Sequence, residues 1–553
     1  MPSVDTASAI LESLDALGVT HVLYCPGSRS APFAYALEAG SFRRDARPIL
    51  DERGAGFAAV GLARTGALPA VVVTSGTAVA ELAPAVLEAS HARLPLLVLS
   101  ADRPGELRGV GASQATDQSG FFGTHVRASV DLEPQEASPS LVGHLARAVA
   151  AACGAPSGAP GPVQVNVAFR DPLTPVRPAC DCGDEAGASF VPRPTRVLAA
   201  PAVPVPWEDV VGPAATGLIV AGEGASLRAR EWSEASGFPL LAEPASGAWS
   251  AGGVTPFEQT LVASSLGSEV DAVVVTGRPT LSRPIQALLA RPDVRVVVVD
   301  PHAPWVDISG NAAVVVADLE PAREPIRAAQ AEWASRVRDA ARDAGERIES
   351  LLSAGSGRTM LDLARAVAAS TSGPLVLGAS NPVRAFDLAV PTLEGRAVHS
   401  NRGQAGIDGT IATAVGIALG SGYAGEASAS EGERVTAVIG DLTACHDASS
   451  LALASSVRAN LDIVVADDQG GGIFATLEHG RAASPEAYER WFGLAQSVDY
   501  EALAAAYGVA FARAETPAQL AQLLETGEAG PRLVHAPVER AAHLYPTVRD
   551  VLS

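Results

Sequence analysis

Two apolar runs near the C-terminal end each stop at an acidic residue and a glycine turn. Residues 435–439 (VTAVI) precede Gly440-Asp441-Leu442, and residues 461–466 (LDIVVA) precede the segment 467–474 (DDQGGGIF). Short apolar runs bounded by turn residues are typical of buried parallel strands. Open parallel sheets bind ligands at the carboxyl ends of their strands, so we expect both turns at one such edge. The pattern predicts an α/β fold with an acidic, glycine-rich site.

The residue types at that edge indicate what it can bind. Carboxylate oxygens with few softer ligands nearby suit Mg²⁺, which keeps coordination positions open for phosphate oxygens. Each motif alone is equally well explained as a strand-to-helix turn in which Asp caps the helix. Together, and with three consecutive glycines at 470–472, the motifs favour a site for a metal ion and a diphosphate.

Composition excludes several classes of protein. At roughly 150 residues per domain, 553 residues correspond to three or four domains. A hydrophobic content of 48% and a charged content of 18% are typical of a globular protein. The net charge of −21 argues against a nucleic-acid partner or an anionic membrane surface. All 40 lysine and arginine residues are arginine, so sites for carboxylates or phosphates must use guanidinium groups.

Cysteine usage and hydropathy predict a cytoplasmic protein. No cysteines form a CxxC pair, and no second cluster completes a zinc site, so we interpret them as free thiols of a reducing compartment. The N-terminal residues lack the basic and apolar pattern of a signal peptide. No apolar stretch reaches the roughly 18 residues of a membrane span, so we expect no integral membrane segment. The five cysteines are Cys25, Cys153, Cys180, Cys182 and Cys445.

Alternating helical and strand patterns predict three domains, each a mostly parallel sheet flanked by helices. We place them at 1–185, 186–355 and 356–553, the second beginning with a proline-rich linker. Helices are expected at 5–17 and at about 321–352. Strands are expected at 21–25, 70–74, 96–100, 217–221, 271–276, 294–300, 374–378, 435–439, 461–466 and 532–536.

The central domain contains half of a dinucleotide fingerprint. Residues 222–226 (GEGAS) follow a predicted strand, but the third glycine is absent. Asp300 ends a strand too far along the chain to serve as the acid that binds the ribose. We therefore interpret 222–226 as a tight turn and the central domain as a scaffold.

Seven short strings along the chain resemble those of one enzyme superfamily. In order, they are PGSRS at 26–30, DERG at 51–54, TSGTA at 74–78, ADRP at 101–104, SNPVR at 380–384, SNRGQAGIDG at 400–409, and GDL with DDQGGGIF at 440–442 and 467–474. They resemble the thiamine-diphosphate enzymes, in which a pyrimidine-binding, a central and a diphosphate-binding domain follow in this order. Within that superfamily the chain is most similar to the 2-succinyl-5-enolpyruvyl-6-hydroxy-3-cyclohexene-1-carboxylate (SEPHCHC) synthase family of menaquinone biosynthesis. The resemblance covers essentially the whole chain, and Leu442 is typical of this branch.

The resemblance implies an activity. Members of this family decarboxylate 2-oxoglutarate on thiamine diphosphate and add the succinyl carbanion to isochorismate in a 1,4-addition. It also implies a homodimer or a dimer of dimers. A carboxylate at the position of Glu52 engages the pyrimidine ring, and we expect burial to raise its pKa and keep it proton-accepting. A bulky apolar residue at the position of Ile407 bends the cofactor.

The same resemblance assigns residues to roles. Catalytic residues are Glu52, Gln114, Arg384 and Arg402. Cofactor-binding residues are Glu52, Thr77, Ile407, Gly440, Asp441, Leu442, Asp468, Gly471, Ile473 and Phe474. Substrate-binding residues are Ser28, Arg29, Arg103, Ser113, Gln114, Ser380, Arg384 and Arg402. Ligands of Mg²⁺ or Mn²⁺ are Asp441, Asp468 and the carbonyl of Gly470.

Two positions depart from the family pattern. The sequence also leaves two other functions open. The family commonly has Asn where this chain has Asp467, and often Asn where it has Ser113. One alternative is another thiamine-diphosphate lyase acting on a small 2-oxo acid, similar to acetolactate synthase. The other is a non-enzymatic protein that kept the fold. Loss of Glu52 or Asp441 would be expected in such a protein, and both residues are present.

We interpret the histidines as structural. They are His91, His125, His399, His446 and His479.

Overall fold

The structure is a computed structural model that describes residues 3–175, 193–421, 433–527 and 529–553. Cys180, Cys182 and much of the predicted proline-rich linker lie outside these residues. The chain divides into two compact units. The first contains residues 1–200 and 412–432, and the second contains residues 201–411 and 433–553.

The first unit is built on a parallel sheet of six strands. The strand order is β2-β1-β3-β4-β6-β5, and every neighbouring pair is parallel. Its strands are β1 (His21–Tyr24), β2 (Asp45–Pro48), β3 (Pro69–Val73), β4 (Leu96–Asp102), β5 (Ser129–Leu132) and β6 (Pro162–Ala168). Its helices include α1 (Ser3–Ala16), α2 (Ala31–Glu38), α3 (Glu52–Arg64), α4 (Thr77–Ala80), α5 (Ala83–His91) and α6 (Pro139–Ala152).

Helix α3 packs closely against residues 412–420, which form most of the helix Thr410–Gly420. A Cβ atom on Gly61 would lie 2.1 Å from the carbonyl oxygen of Thr413. A Cβ atom on Gly416 would lie 2.0 Å from the carbonyl oxygen of Ala58. Glycine at both positions therefore allows the two helix backbones to touch, and this contact fixes the helix that begins at Glu52.

The second unit contains two parallel sheets and a short two-stranded ladder. The central sheet has the order β12-β11-β10-β8-β9, and β7 (Pro204–Val205) pairs with β13 (Asp318–Leu319). The central strands are β8 (Gly217–Ala221), β9 (Leu240–Ala242), β10 (Ala272–Thr276), β11 (Arg295–Val299) and β12 (Ala312–Val316). The helices are α7 (Trp207–Val210), α8 (Ala229–Ser236), α9 (Glu258–Ala263), α10 (Ser265–Glu269), α11 (Arg283–Leu289) and α12 (Ala328–Ser353).

The C-terminal sheet of this unit has the order β15-β14-β16-β17-β19-β18. Its strands are β14 (Leu375–Leu377), β15 (Val398–His399), β16 (Val435–Gly440), β17 (Leu461–Asp467), β18 (Ala510–Arg513) and β19 (Pro531–Pro537). The helices in this part of the chain are α13 (Met360–Ser370), α14 (Asn381–Ala389), α15 (Thr410–Gly420), α16 (Asp441–His446), α17 (Ser450–Ser456), α18 (Gly472–Ala475), α19 (His479–Ala482), α20 (Pro485–Tyr488), α21 (Tyr500–Ala506), α22 (Pro517–Glu525) and α23 (Leu544–Arg549). Residues 412–420 of α15 belong to the first unit. One apolar cluster joins both sheets, from Trp207 to Val548.

The predicted fold class is confirmed: parallel sheets flanked by helices form the chain. Each predicted strand is present, with ends that differ by at most two residues. The predicted start of the helix at about residue 321 is wrong, because α12 begins at Ala328. The backbone amides of Arg323 and Glu324 donate instead to the Glu208 carboxylate, at 2.6 and 3.2 Å.

The domain boundaries stay a prediction. None of the described helices combines the length and apolarity needed to cross a bilayer.

Candidate active site

The two acidic turns lie side by side at the carboxyl edge of the C-terminal sheet. Strands β16 and β17 are parallel neighbours with Gly440 opposite Ala466, as the sequence predicts. Asp441 begins α16, and Asp468 follows β17. A Cβ atom on Gly472 would lie 1.8 Å from a carboxylate oxygen of Asp468, so only glycine leaves room for that carboxylate. Gly470 has φ of +123°, a conformation that glycine adopts far more readily than other residues.

Negative charge at this edge is only partly balanced by nearby side chains, since His535 contacts Asp467 and the charge of Arg540 acts on Asp468. Burial raises the pKa of Asp441 to about 6, and the charge of Asp467 adds to that effect. Burial raises the pKa of Asp468 to about 7, with further contributions from Asp441 and Asp467. One carboxylate oxygen of Asp441, Oδ2, is buried without a hydrogen-bond partner. These carboxylates therefore favour a bound cation, which would stabilise their ionised forms.

Asp467, the departure from the family pattern, is matched by a residue that the sequence did not single out. His535 on β19 contacts its carboxylate at 2.9 Å, and this hydrogen bond is the main reason that the pKa of Asp467 is lowered. The pairing follows from strand order, since β17 and β19 are adjacent. Strand order is not visible in the sequence, which is why the pair was missed.

Arg540, which the sequence also did not single out, stabilises the turn after β17. Arg540 Nε donates to the carbonyl oxygen of Asp468 at 3.1 Å, and its Nη2 donates to that of Gln469. The Tyr488 hydroxyl donates to the carbonyl oxygen of Gly471 at 2.9 Å. These bonds fix a glycine-rich turn that would otherwise be free to adopt many conformations. The predicted cofactor residues Leu442, Ile473 and Phe474 lie half-buried beside it.

The donor set at this edge can hold a hard cation. Within the described ranges, no three His, Cys, Asp or Glu side chains form a cluster with metal-ligand geometry. Two carboxylates and the carbonyl of Gly470 would leave coordination positions for phosphate oxygens and water, as Mg²⁺ prefers. The unpartnered Oδ2 of Asp441 is the observation that fits a missing ligand.

Two arginines, the half-buried Arg384 and the buried Arg402, converge near the ends of β14 and β15. Arg384 lies on α14 and Arg402 follows β15, and both donate to the carbonyl oxygen of Ala379, at 3.2 and 3.1 Å. Arg402 also donates to the Thr280 hydroxyl at 3.1 Å. Burial lowers the pKa of Arg384 to about 10, and the charge of Arg402 adds to the shift. In the part of the chain that the structure describes, neither guanidinium has a carboxylate within 4.0 Å.

The surroundings of this pair are open to a ligand. Arg384 lines a cavity of about 730 Å³ together with Thr280, Arg283 and Tyr545. Ser380 precedes α14, and its carbonyl oxygen accepts from Arg384 Nη1 at 2.8 Å. The predicted cofactor residue Ile407 is half-buried in the turn before α15. Two guanidiniums that have no carboxylate within 4.0 Å among the described residues, one of them lining a cavity, are suited to binding an anion.

The first unit carries the other predicted residues. Glu52 begins α3, and Asp51 caps that helix by accepting from the amides of residues 53 and 54 at 3.0 and 3.3 Å. Burial raises the pKa of Glu52, as predicted, and the charges of Asp51 and Glu81 add to the effect. Glu52 lines a cavity of about 480 Å³ with Thr77 and Gln114. A half-buried carboxyl with a raised pKa can exchange a proton with a ligand in that cavity.

Two further predicted arginines lie close to each other in the first unit. Arg103 donates to the Ser75 hydroxyl and to the carbonyl oxygen of Gln114, the latter at 2.7 Å. Arg29 donates to the carbonyl oxygen of Phe169 at 2.8 Å. Burial and the charge of Arg29 lower the pKa of Arg103. The predicted substrate residues Ser28, Ser113 and Gln114 are exposed in this unit.

The predicted site residues thus fall into two groups. The first unit contains Ser28, Arg29, Glu52, Thr77, Arg103, Ser113 and Gln114. The second contains Ser380, Arg384, Arg402, Ile407, Gly440, Asp441, Leu442, Asp468, Gly470, Gly471, Ile473 and Phe474. Within each group, acids with raised pKa values and arginines with lowered pKa values occur together. Such perturbed groups concentrate at functional sites.

Comparison with known proteins identifies the family. A profile described as "Thiamine pyrophosphate enzyme, N-terminal TPP binding domain" matches residues 4–121, and one described as "Thiamine pyrophosphate enzyme, C-terminal TPP binding domain" matches residues 384–536. The chain is also similar to proteins named 2-succinyl-5-enolpyruvyl-6-hydroxy-3-cyclohexene-1-carboxylate synthase. The protein from Kineococcus radiotolerans is 43% identical over 555 residues, which cover 96% of this chain and 95% of the relative.

Two other relatives with the same name extend this result. The protein from Renibacterium salmoninarum is 39% identical over 565 residues, covering 100% of this chain and 97% of the relative. The protein from Nocardioides sp. is 40% identical over 553 residues, covering 97% and 95%. Because identity extends across nearly the full length of both chains, this protein is a thiamine-diphosphate-dependent enzyme and belongs to the SEPHCHC synthase family.

Proposed function

We propose that this enzyme decarboxylates 2-oxoglutarate and transfers the succinyl unit to isochorismate, forming SEPHCHC for menaquinone biosynthesis. The observation that carries the proposal is the pair Arg384 and Arg402, a half-buried and a buried guanidinium with no carboxylate within 4.0 Å among the described residues. Both substrates are carboxylates, and guanidinium forks bind carboxylates bidentately. The relatives' shared name states the product.

The C-terminal sheet edge would hold the cofactor's diphosphate. Asp441, Asp468 and the carbonyl of Gly470 would bind Mg²⁺ or Mn²⁺, which neutralises the two raised-pKa carboxylates. Gly440, Leu442, Gly471, Ile473 and Phe474 would surround the diphosphate, and Ile407 would support the cofactor rings. When bound, thiamine diphosphate supplies the carbon nucleophile for 2-oxo acid decarboxylation.

Glu52 and Thr77 would serve the cofactor's pyrimidine ring. Burial raises the pKa of Glu52, which favours proton exchange with a bound ligand, the property required of a general acid–base group. Asp51 holds the first turn of α3 and so fixes the position of the Glu52 backbone. The role of Glu52 is thus proton exchange and orientation of the pyrimidine ring.

The remaining polar residues would bind the substrates. Arg384 and Arg402 would clamp one carboxylate, while Arg29 and Arg103 provide a second pair of cations. Ser28, Ser113, Gln114 and Ser380 would donate or accept hydrogen bonds around them. The lowered pKa values of Arg103 and Arg384 indicate that both guanidiniums are partly desolvated, which strengthens their attraction to an anion.

The direct test is product identification. Purified protein with thiamine diphosphate and Mg²⁺ is given 2-oxoglutarate with and without isochorismate, and the product is identified by mass. We expect SEPHCHC only when both substrates are present. Carbon dioxide released from pyruvate, with none released from 2-oxoglutarate, would contradict the proposal and favour an enzyme similar to acetolactate synthase.

The arginine clamp is tested in the same assay. Arg384→Ala and Arg402→Ala should each raise the KM for a substrate and cost roughly 2–5 kcal/mol of transition-state stabilisation. Arg336→Ala is the matched control, because Arg336 forms an exposed ion pair with Glu269. Unchanged kinetics in both clamp variants would show that Arg384 and Arg402 are structural.

We also propose that the active form is a homodimer, or a dimer of dimers, with composite sites. The pyrimidine-binding residues and the diphosphate-binding residues belong to different compact units of the chain, and one cofactor must contact both. Under the proposal, one protomer's Glu52 faces its partner's diphosphate site. Mixing the inactive variants Glu52→Gln and Asp441→Ala under subunit exchange should then restore about one quarter of the wild-type activity. Random pairing makes about half of the dimers mixed, and each mixed dimer has one intact site out of two. No recovery despite confirmed exchange would contradict it.

A further inference from the structure

Three buried carboxyl groups lie behind Arg384 and Arg402. Asp387 is on α14, three residues after Arg384, so both project from one side of that helix. Glu258 begins α9, and Glu243 follows β9 at the carboxyl edge of the central sheet. The relative exposure of each of the three acids is at most 3%. We refer to Glu243, Glu258 and Asp387 as the acid cluster.

The acid cluster has few hydrogen bonds of its own. Gln259 Nε2 donates to Asp387 Oδ2, and the amide of Leu281 donates to Glu243 Oε1 at 2.6 Å. Both carboxyl oxygens of Glu258 are buried without a hydrogen-bond partner. Burial without such bonds disfavours the ionised form of a carboxyl group.

The charges around the cluster come from several elements. Arg384 and Arg402 face Asp387, and Arg402 also faces Glu243. Among the described residues, the charges that act on Glu258 are those of Asp387 and Glu243. Burial raises the pKa of all three. The charge of Asp387 raises the pKa of Glu243 and of Glu258 further, whereas Arg384, Arg402 and the hydrogen bond from Gln259 oppose the rise at Asp387. The other groups nearby are Glu223, which pairs with Arg278 at 2.6 Å, and the buried Tyr545, which faces Arg384.

Counting charges shows what a ligand would change. Glu223 and Arg278 cancel, which leaves two guanidiniums facing three carboxyl groups. With Glu258 protonated, ionised Asp387 and Glu243 balance Arg384 and Arg402. A carboxylate that binds the guanidiniums adds negative charge to a site of low dielectric constant. The pKa values of the acids then rise further, and one of them must take up a proton.

We propose that the acid cluster supplies internal counter-ions for the Arg384–Arg402 pair, and that binding of a substrate carboxylate there is coupled to proton uptake from solvent by the cluster. Asp387 is thus a positioning residue that acts through the guanidiniums. This inference rests on the proposed function only in assigning the Arg384–Arg402 pair to a substrate carboxylate.

Calorimetry tests the coupling without turnover. The holoenzyme, with thiamine diphosphate and Mg²⁺, is titrated at pH 7.5 with glutarate, which lacks the reactive oxo group. The titration is repeated in phosphate, HEPES and Tris buffers, and the binding enthalpy is plotted against the ionisation enthalpy of the buffer. The slope gives the number of protons taken up. We expect about 0.5–1 proton per glutarate for the wild-type enzyme.

Variants assign the proton. Asp387→Asn and Glu258→Gln should each lower the slope, while Glu332→Gln, at an exposed position on α12, should leave it unchanged. Arg384→Ala should abolish glutarate binding. Binding by wild type with zero slope would overturn this inference and leave the arginine clamp intact. Absence of glutarate binding in the wild-type enzyme would overturn both.

Steady-state kinetics give an independent readout. Because binding takes up a proton, the KM for the substrate 2-oxoglutarate should rise with pH between pH 6.5 and 8.5, with a smaller change in kcat. Asp387→Asn removes one internal counter-ion, so its KM at pH 8 should be several-fold lower than that of the wild type and nearly independent of pH. A merely structural Asp387 would give a higher KM at every pH, and that result would overturn the proposal.

Discussion

Strand β17 has acids near both of its ends, and they differ in which groups compensate their negative charge. At the amino end, Asp462 accepts hydrogen bonds from Arg434 at 2.6 and 2.7 Å and from Arg532 at 2.7 Å. At the carboxyl end, Asp468 and its neighbour Asp441 have raised pKa values, and Asp441 Oδ2 has no partner. Asp462 is therefore fully hydrogen-bonded at one edge of the sheet, whereas at the other edge Asp467 is paired with His535 and Asp441 keeps an oxygen without a partner among the described residues.

This contrast distinguishes two edges of the C-terminal sheet. We call the amino edge, with Asp462, the structural edge, and the carboxyl edge, with Asp441 and Asp468, the binding edge. A buried carboxylate with two guanidiniums contributes to the fold, because removing it leaves cations unpaired. A buried carboxylate without a partner costs stability in the free protein, and a ligand that supplies positive charge recovers that cost. Asp441 in the proposed metal site thus differs from Asp462 in that one of its carboxylate oxygens has no hydrogen-bond donor among the described residues. Substitutions at the two edges should accordingly have opposite consequences.

The largest effect is expected at the carboxyl edge. Asp441→Asn removes the carboxylate that would bind the metal, so thiamine-diphosphate affinity in the presence of Mg²⁺ should fall by more than about 100-fold. The thermal stability of the cofactor-free protein should not decrease, since the variant removes an unsatisfied charge. Equilibrium dialysis measures the affinity, and thermal unfolding measures the stability. Undiminished affinity would remove Asp441 from the metal site.

A comparable effect on turnover is expected at Glu52, the corresponding unpaired acid of the first unit. Glu52→Gln keeps the side-chain volume but cannot exchange a proton, so kcat should fall by roughly 10²–10⁴-fold. Cofactor affinity should weaken much less. Glu38→Gln on the exposed side of α2 is the control and should retain full activity. Near-normal turnover in the Glu52 variant would mean that Glu52 only packs at the start of α3.

The binding edge could be predicted from the sequence, but the structural edge could not. Apolar runs that end in Asp and Gly mark adjacent carboxyl ends, and the parallel register of β16 and β17 follows that pattern. Asp462 lies inside such a run, where only the adjacency of β17 to β19 and to Arg434 explains how its charge is tolerated. Strand order depends on packing between distant segments, and local sequence does not encode it.

The same limit applies to the acid cluster and to His535. Glu243 and Glu258 belong to segments of the central domain that share no motif with the string around Arg384, and Asp387 lies one turn after Arg384 on α14. The central domain, interpreted from sequence as a scaffold, also supplies Thr280 as a hydrogen-bond partner of Arg402. Arginines inside short recognisable strings were identifiable, whereas the groups that surround them were not.

At the amino edge of β17 the expected effect is on stability. Asp462→Asn leaves Arg434 and Arg532 without their shared carboxylate, which should cost about 3–5 kcal/mol of unfolding free energy. The folded fraction should bind thiamine diphosphate normally. Asp339→Asn, which breaks an exposed pair with Arg342, should cost less than about 1 kcal/mol. Urea unfolding measures both. Equal losses in the two variants would remove the distinction between buried and exposed pairs.

The smallest expected effect is a gain in stability at Glu258. This buried acid is not part of the proposed metal site, and its carboxyl oxygens have no hydrogen-bond partner among the described residues. Its pKa is raised in the folded protein, so the folded state holds its proton more tightly than the unfolded state does. Wild-type stability should therefore fall as the pH rises above the ordinary pKa of Glu, by at most about 1.4 kcal/mol per pH unit. Glu258→Gln has no such proton to lose. The variant should be more stable than wild type by about 1–3 kcal/mol at pH 8 and should differ little at pH 4.5. Urea unfolding across this pH range, with Asp462→Asn as the variant expected to lose stability, measures the difference. Parallel pH curves for Glu258→Gln and wild type would show that the Glu258 carboxyl finds a partner when it ionises.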